Sequence, residues 1–167
     1  CRHVNGRTVV IHQSHTRLAA RDQHCRAAEH LLQLGHRRIA LFNRPVTDPL
    51  RRSALARQGF LKALRRYGVW RDPKLYGEAE APINRPPEEQ ATILDRWLSR
   101  PKPPTAIVCD SDERALLLMR LLSERGRTVP DDLSIVGHEN MPSAANSDPP
   151  LTTVDARCPQ RGEKALE

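Results

Sequence analysis

The sequence predicts an α/β fold built on a mostly parallel sheet flanked by helices, and three observations carry that reading. Short apolar runs, Ile39-Ala-Leu-Phe42, Thr105-Ala-Ile-Val-Cys109 and Leu133-Ser-Ile-Val-Gly137, read as strands buried on both faces. Between them lie segments whose apolar residues recur at helical spacing. Strand and helix alternate along the chain, the pattern of parallel strands joined by right-handed crossovers.

The elements follow in order. Thr8 to Ile11 reads as a short strand. From Asp22 onward, Cys25, Ala28, Leu31 and Leu32 share one helix face, and Gly35 supplies the stop. The strand from Ile39 is followed by a loop at Pro45, Asp48 and Pro49. Ala56, Phe60, Ala63 and Leu64 form the next helical face, closed by Gly68. Two strand pieces are expected around Leu75-Tyr76 and Ile83, and a helix over Glu88 to Ser99 with Ile93, Leu94, Trp97 and Leu98 facing inward. After the strand ending at Cys109, Asp112 is expected to cap a helix carrying Ala115, Leu116, Met119 and Leu122, ended by Gly126. Ligands of such sheets bind outside the carboxyl ends of the strands, here Phe42-Asn-Arg44, Cys109-Asp-Ser-Asp112 and Gly137-His-Glu-Asn140.

Composition narrows the function classes. With 38% apolar but only 4% aromatic residues, the core of this 167-residue chain is aliphatic. Its 28% charged residues are mixed in sign along the chain, as on a folded surface. The net charge of +7 comes mostly from scattered arginines, which fits a solvated surface better than a nucleic-acid footprint. No apolar run is long enough to cross a bilayer, so no membrane partner is expected. Cys1, Cys25, Cys109 and Cys158 form no CxxC pair, and His24 beside Cys25 sits on a different helix face, so no metal is expected. The sequence has no phosphate-binding glycine loop, no nucleophile elbow and no HExxH motif, so neither an enzyme nor a cofactor is expected. The chain opens without Met and stops at Ala165-Leu-Glu167 within a helical pattern, as expected of a piece of a longer protein.

Five segments, in order, resemble one family. Glu29-His-Leu-Leu-Gln-Leu-Gly-His-Arg-Arg-Ile-Ala40 is similar to the HLLxLGHRRIA segment of LacI/GalR regulators. Gln58-Gly-Phe-Leu-Lys-Ala-Leu64 resembles their GFxxAL helix, and Pro104-Thr-Ala-Ile-Val-Cys109 with Asp112 and Ala115 their PTAI…NDxxA unit. Gly126 to Gly137 resembles GxxVPDDLSIVG, and Pro149-Pro-Leu-Thr-Thr-Val154 resembles PPLTTV. The resemblance implies a Rossmann-like lobe of a periplasmic-binding-protein-like type I fold. Residues 19–154 would form the C-terminal lobe of the effector-binding domain. Residues 1–18 would be a remnant of the N-terminal lobe or a linker, and 155–167 the start of the crossover back to it. It further implies a cytoplasmic homodimeric regulator that senses a sugar-like or related polar effector and binds operator DNA through a helix-turn-helix not present in this chain. Two other readings remain: a periplasmic sugar-binding protein of the same fold, and direct nucleic-acid binding by the arginine surface.

Position by position, the resemblance implies a cleft lined by Arg57 (or Arg52), Ser111, Asp112, Glu139 and His138. The family's usual Arg three residues before Gly-Phe is Ala56 here, with Arg57 or Arg52 as substitutes. Its Asn before the helix-capping Asp is Ser111, its G-F/Y-D is Gly137-His138-Glu139, and an expected Asp before the first helix falls at Ala19. So many altered contacts imply either an effector other than a simple sugar or a cleft that has lost part of its function. Plainer roles stand beside these: a helix cap for Asp112, a solvated loop carboxylate for Glu139, packing for His138 and His36, a turn at Asp131-Asp132, and core packing for Trp70 and Trp97.

Overall fold

A computed structural model describes residues 10–11, 20–45, 52–69, 76–80 and 86–155. Its elements are β1 (Val10–Ile11), α1 (Ala20–Gln33), β2 (Ile39–Asn43), α2 (Arg52–Arg66), β3 (Tyr76–Glu80), α3 (Pro87–Leu98), β4 (Ala106–Cys109), α4 (Asp112–Ser123), β5 (Ser134–His138), α5 (Pro142–Ala145) and β6 (Thr152–Val154). Six parallel strands lie in the order β1-β6-β5-β4-β2-β3.

Strand alternation sorts this sheet into two cores. Ile39, Leu41, Ala106, Val108 and Val136 face α1 and α2, against Leu31, Leu32, Phe60 and Leu64. Ala40, Phe42, Ile107, Cys109 and Ile135 face α3 and α4, against Leu94, Trp97, Leu118 and Leu122. Trp97 meets Phe42 edge-on at 5.6 Å between ring centroids, as expected of a core residue. Trp70 and Ile83 lie outside the described residues, as do most of 1–18 and all of 156–167.

Helix ends and crossings explain several glycines. Gly35, Gly68 and Gly126 all take positive φ at the ends of α1, α2 and α4, as expected. Gly59 has a different job: a Cβ there would fall on the Arg21 carbonyl, so its bare backbone lets α2 cross α1 closely. Gly59→Ala is expected to force these helices apart, lowering the urea-unfolding free energy by about 1–3 kcal/mol.

Three elements differ from expectation. β3 runs on through Gly77-Glu-Ala-Glu80, and as an edge strand it has no need of an apolar run. α5 and β6 were not foreseen, being only four and three residues long. β1, expected as a short strand, pairs with β6 at the edge of the sheet.

Candidate functional site

The chain leaves β2, forms β3 on one side, then returns to lay β4 on the other. The crevice outside the carboxyl ends of β2 and β4 is therefore a topological switch point, where α/β sheets bind ligands. A pocket of about 260 Å³ lies there. The end of β2 supplies Asn43 and Arg44, the first turns of α2 supply Arg52, Ser53 and Ala56, the residue after β4 is Asp110, and α1 adds His24. Asn43 Nδ2 donates to the Ser53 carbonyl (2.8 Å) and Ser53 Oγ donates to the Pro45 carbonyl (3.2 Å), tying the strand end to the start of α2.

Asp110 is anchored from below. Its Oδ1 accepts from Nε of Arg114 at 2.7 Å, and Arg114 is completely buried. Arg114 also donates to Gln90 Oε1 (3.1 Å) and lies 4.4 Å from the centre of the Phe42 ring. Asp110 Oδ2 lies 3.1 Å from Nε of Arg44, an ion pair in which the N–H points off line, so that oxygen accepts no hydrogen bond. Asn43 Oδ1 and His24 Nε2 are likewise buried without a hydrogen-bond partner.

Two buried imidazoles form the wall behind the pocket. His24 and His138 stack with centroids 4.5 Å apart. His24 Nδ1 donates to the Ala20 carbonyl (3.0 Å), leaving Nε2 as a bare acceptor, and His138 Nε2 donates to Gln23 Oε1 (2.8 Å). Burial lowers both pKa values, that of His24 to about 4 against the weaker upward pull of its bond to Ala20. Both rings are neutral in the folded protein at pH 7, whereas the unfolded chain takes up their protons near 6.5. Stability is therefore complete above pH 6.5 and is lost as pH falls toward 4, by up to about 1.4 kcal/mol per pH unit for each histidine. Urea midpoints measured across this range are expected to show that decline, and a His24→Leu/His138→Leu protein is expected to flatten it.

The structure divides the residues expected in the cleft. Arg57 does not line this pocket: it is half-exposed and donates to Glu78 Oε2 on β3 at 2.6 Å. Arg52, its expected substitute, does line it and lies 3.7 Å from Glu139 Oε1, which itself is outside the pocket lining. Burial pushes the Glu139 carboxyl up, and Arg52 opposes the shift. Ser111, not Asp112, caps α4: its Oγ accepts from the Arg114 N–H at 3.3 Å. Asp112 sits one residue further in, fully buried, and accepts from Thr153 Oγ1 (2.6 Å) and the Met141 N–H (2.7 Å). It ties α4 to β6 and to the turn before α5. His138 is buried behind His24 and lies outside the pocket lining.

Pocket residues outside the expected set include four with polar or charged side chains that bear on its chemistry, His24, Asn43, Arg44 and Asp110. Their strand-end positions marked three of them. His24 falls three and four residues before the buried Ala27 and Ala28, on the inner face of α1, and that spacing could have found it. Cys25 and Cys109 are free, and burial pushes both thiols up, Cys25 to about 11, so neither is poised as a nucleophile. Among the described residues no cluster of three metal-ligating side chains occurs, and no helix is long and apolar enough to cross a membrane.

Comparisons with known proteins agree with this fold. Residues 28–167 match the family described as periplasmic binding protein-like domain. The chain is 34% identical over 140 residues to the HTH-type transcriptional repressor CytR of Escherichia coli K12, covering 84% of this chain and 39% of the repressor. It is 36% identical over 143 residues to an arabinose metabolism transcriptional repressor of Geobacillus stearothermophilus, covering 83% and 37%. A crystal structure of a LacI transcriptional regulator from a Rhodococcus species superposes with a TM-score of 0.74 at 27% identity, covering 95% of this chain and 59% of that one. The chain thus spans less than half the length of these curated relatives. It belongs to the periplasmic binding protein-like domain family, in the form carried by LacI/GalR-type transcription regulators.

Proposed function

We propose that this chain is the effector-sensing lobe of a transcriptional repressor and binds a small polar molecule at the switch-point pocket. The observation that carries this reading is the pocket itself: polar side chains from β2, α2, β4 and α1 converge at the ligand end of a parallel sheet. Arg52 and Arg44 form its rim, with Glu139 beside Arg52 and with Asp110, Asn43 and His24 below. Ser111 and Asp112 contribute by fixing the start of α4, and His138 by backing His24. The effector acts by binding two arrangements of the intact repressor unequally, which shifts its affinity for operator DNA.

Operator binding belongs to a helix-turn-helix outside this chain, in a cytoplasmic homodimer, because paired half-sites require two heads. Catalysis has no part in this reading, since the relatives named above are regulators. The transport-protein alternative receives less support for the same reason. Direct DNA binding by the arginine surface is disfavoured because Arg57, Arg66, Arg120 and Arg125 all face carboxylates.

The test uses the intact protein that contains this chain. Selection from random duplexes should recover a two-half-site sequence, and a metabolite screen should find a compound that releases it. Arg52→Ala is expected to weaken that compound's effect about tenfold while leaving ligand-free DNA affinity unchanged. Failure to select any sequence would remove the regulator reading. Release that is indifferent to Arg52→Ala would remove the pocket assignment.

A further inference from the structure

The pocket floor is one-sided in its hydrogen bonding. His24 Nε2, Asn43 Oδ1 and Asp110 Oδ2 belong to residues no more than 7% exposed, all line the same small pocket, and none has a hydrogen-bond partner. All three are acceptors. The His24 tautomer is set by the bond from Nδ1 to Ala20, and the Asn43 amide by the bond from Nδ2 to Ser53. Asp110 has its other oxygen on the buried Arg114. Buried acceptors left bare cost about 1–3 kcal/mol each, so three beside one pocket call for a donor-rich occupant.

We propose that the floor formed by His24, Asn43 and Asp110 receives an amino group of the effector, so that the pocket selects an amine over the corresponding hydroxyl compound. This rests on the pocket being the effector site. A hydroxyl brings one O–H and can satisfy one of the three acceptors, whereas a protonated primary amine brings three N–H donors. The amine also brings a positive charge to the Asp110 carboxylate, and hydrogen bonds to ionised groups are the stronger ones. His24 remains an acceptor at neutral pH because burial holds its pKa near 4. Arg44 is the competing cation: it is half-exposed and sits against Asp110 Oδ2 without hydrogen-bonding to it, so an incoming amine can displace it into solvent. Arg114 is a positioning residue, since it holds the carboxylate from the α3–α4 side and does not line the pocket.

Matched pairs test the selection: glucosamine against glucose, galactosamine against galactose, and ethanolamine against ethylene glycol as the smallest pair. Binding to the intact protein is followed by thermal shift and calorimetry at neutral pH. In at least one pair the amine is expected to bind about 10- to 100-fold more tightly than its hydroxyl partner. Arg44→Gln, at a half-exposed position, is expected to tighten amine binding severalfold by removing the competing cation, which a purely structural Asp110 would not produce. Asp110→Asn combined with Arg114→Met avoids stranding a buried charge and is expected to bring the two members of a pair to equal affinity. Equal or stronger binding of the hydroxyl compounds, no binding by any amine, or indifference to Arg44→Gln would overturn the inference. Operator release is scored separately. An effector that releases DNA without amine preference sinks this inference alone, and loss of all operator binding sinks the regulator reading alone.

Discussion

Replacing Arg114 with alanine is expected to lower the unfolding free energy by about 3–5 kcal/mol. Arg114 is fully buried, and its guanidinium serves Asp110, Gln90 and the face of Phe42 together. Its removal leaves the Asp110 carboxylate 7% exposed with only the off-line Arg44 for company. The loss therefore comes less from a missing attraction than from a stranded charge. A double-mutant cycle separates the two. If stranding dominates, the Arg114→Met/Asp110→Asn protein recovers at least half the loss in urea unfolding, and the single Asp110→Asn change costs nearly as much as Arg114→Ala. Additive losses would show that packing around Phe42 is the main term.

Asp112→Ala is expected to cost about 3 kcal/mol, for a related reason. Both Asp112 oxygens are engaged away from solvent, one by the Thr153 hydroxyl and the other by the Met141 amide. Alanine orphans two donors where β5 and β6 meet the start of α4. Asp112→Asn keeps one acceptor and presents an amide donor where the other stood, so it is expected to cost less than alanine but remain destabilising. Thr153→Val should reproduce at least half of the alanine effect, because it removes one of the two ties and also the acceptor of the Asn140 N–H. Hydrogen exchange at Met141 reads the other tie directly, and slow exchange in Asp112→Ala would contradict this account.

These two residues show where sequence reasoning succeeds and where it stops. Helical periodicity placed Leu31, Leu32, Phe60, Leu64, Leu94 and Trp97 inside, and apolar runs placed β2, β4 and β5, because burial on a regular element leaves a regular trace. The strand ends that border the pocket were also legible, because each apolar run stops where its strand leaves the sheet. Which strand-end side chains face the opening was not. Asp110, Ser111 and Asp112 are consecutive, yet the first enters the pocket, the second caps a helix and the third is tied beneath it. Those fates depend on partners at Arg114, Met141 and Thr153, up to 41 residues away. Matching to family positions selected Ser111 and Asp112, which the structure holds at the start of α4 outside the pocket lining, whereas the lining role of the strand-end residues Asn43, Arg44 and Asp110, and of His24 beside them, is read from the fold.

Beyond the end of β5, Glu139 and Asn140 both hold positive φ, 113° and 53°. Asparagine enters that region with little strain, but glutamate at 113° occupies ground that normally belongs to glycine. Mutation toward glycine at 139 would relax the backbone, so chain stability alone gives no reason for a carboxylate there. A long acidic side chain at this turn is a small, standing disadvantage to folding. What the side chain does meet there is Arg52, 3.7 Å away, a contact that glycine would give up in exchange for the easier bend.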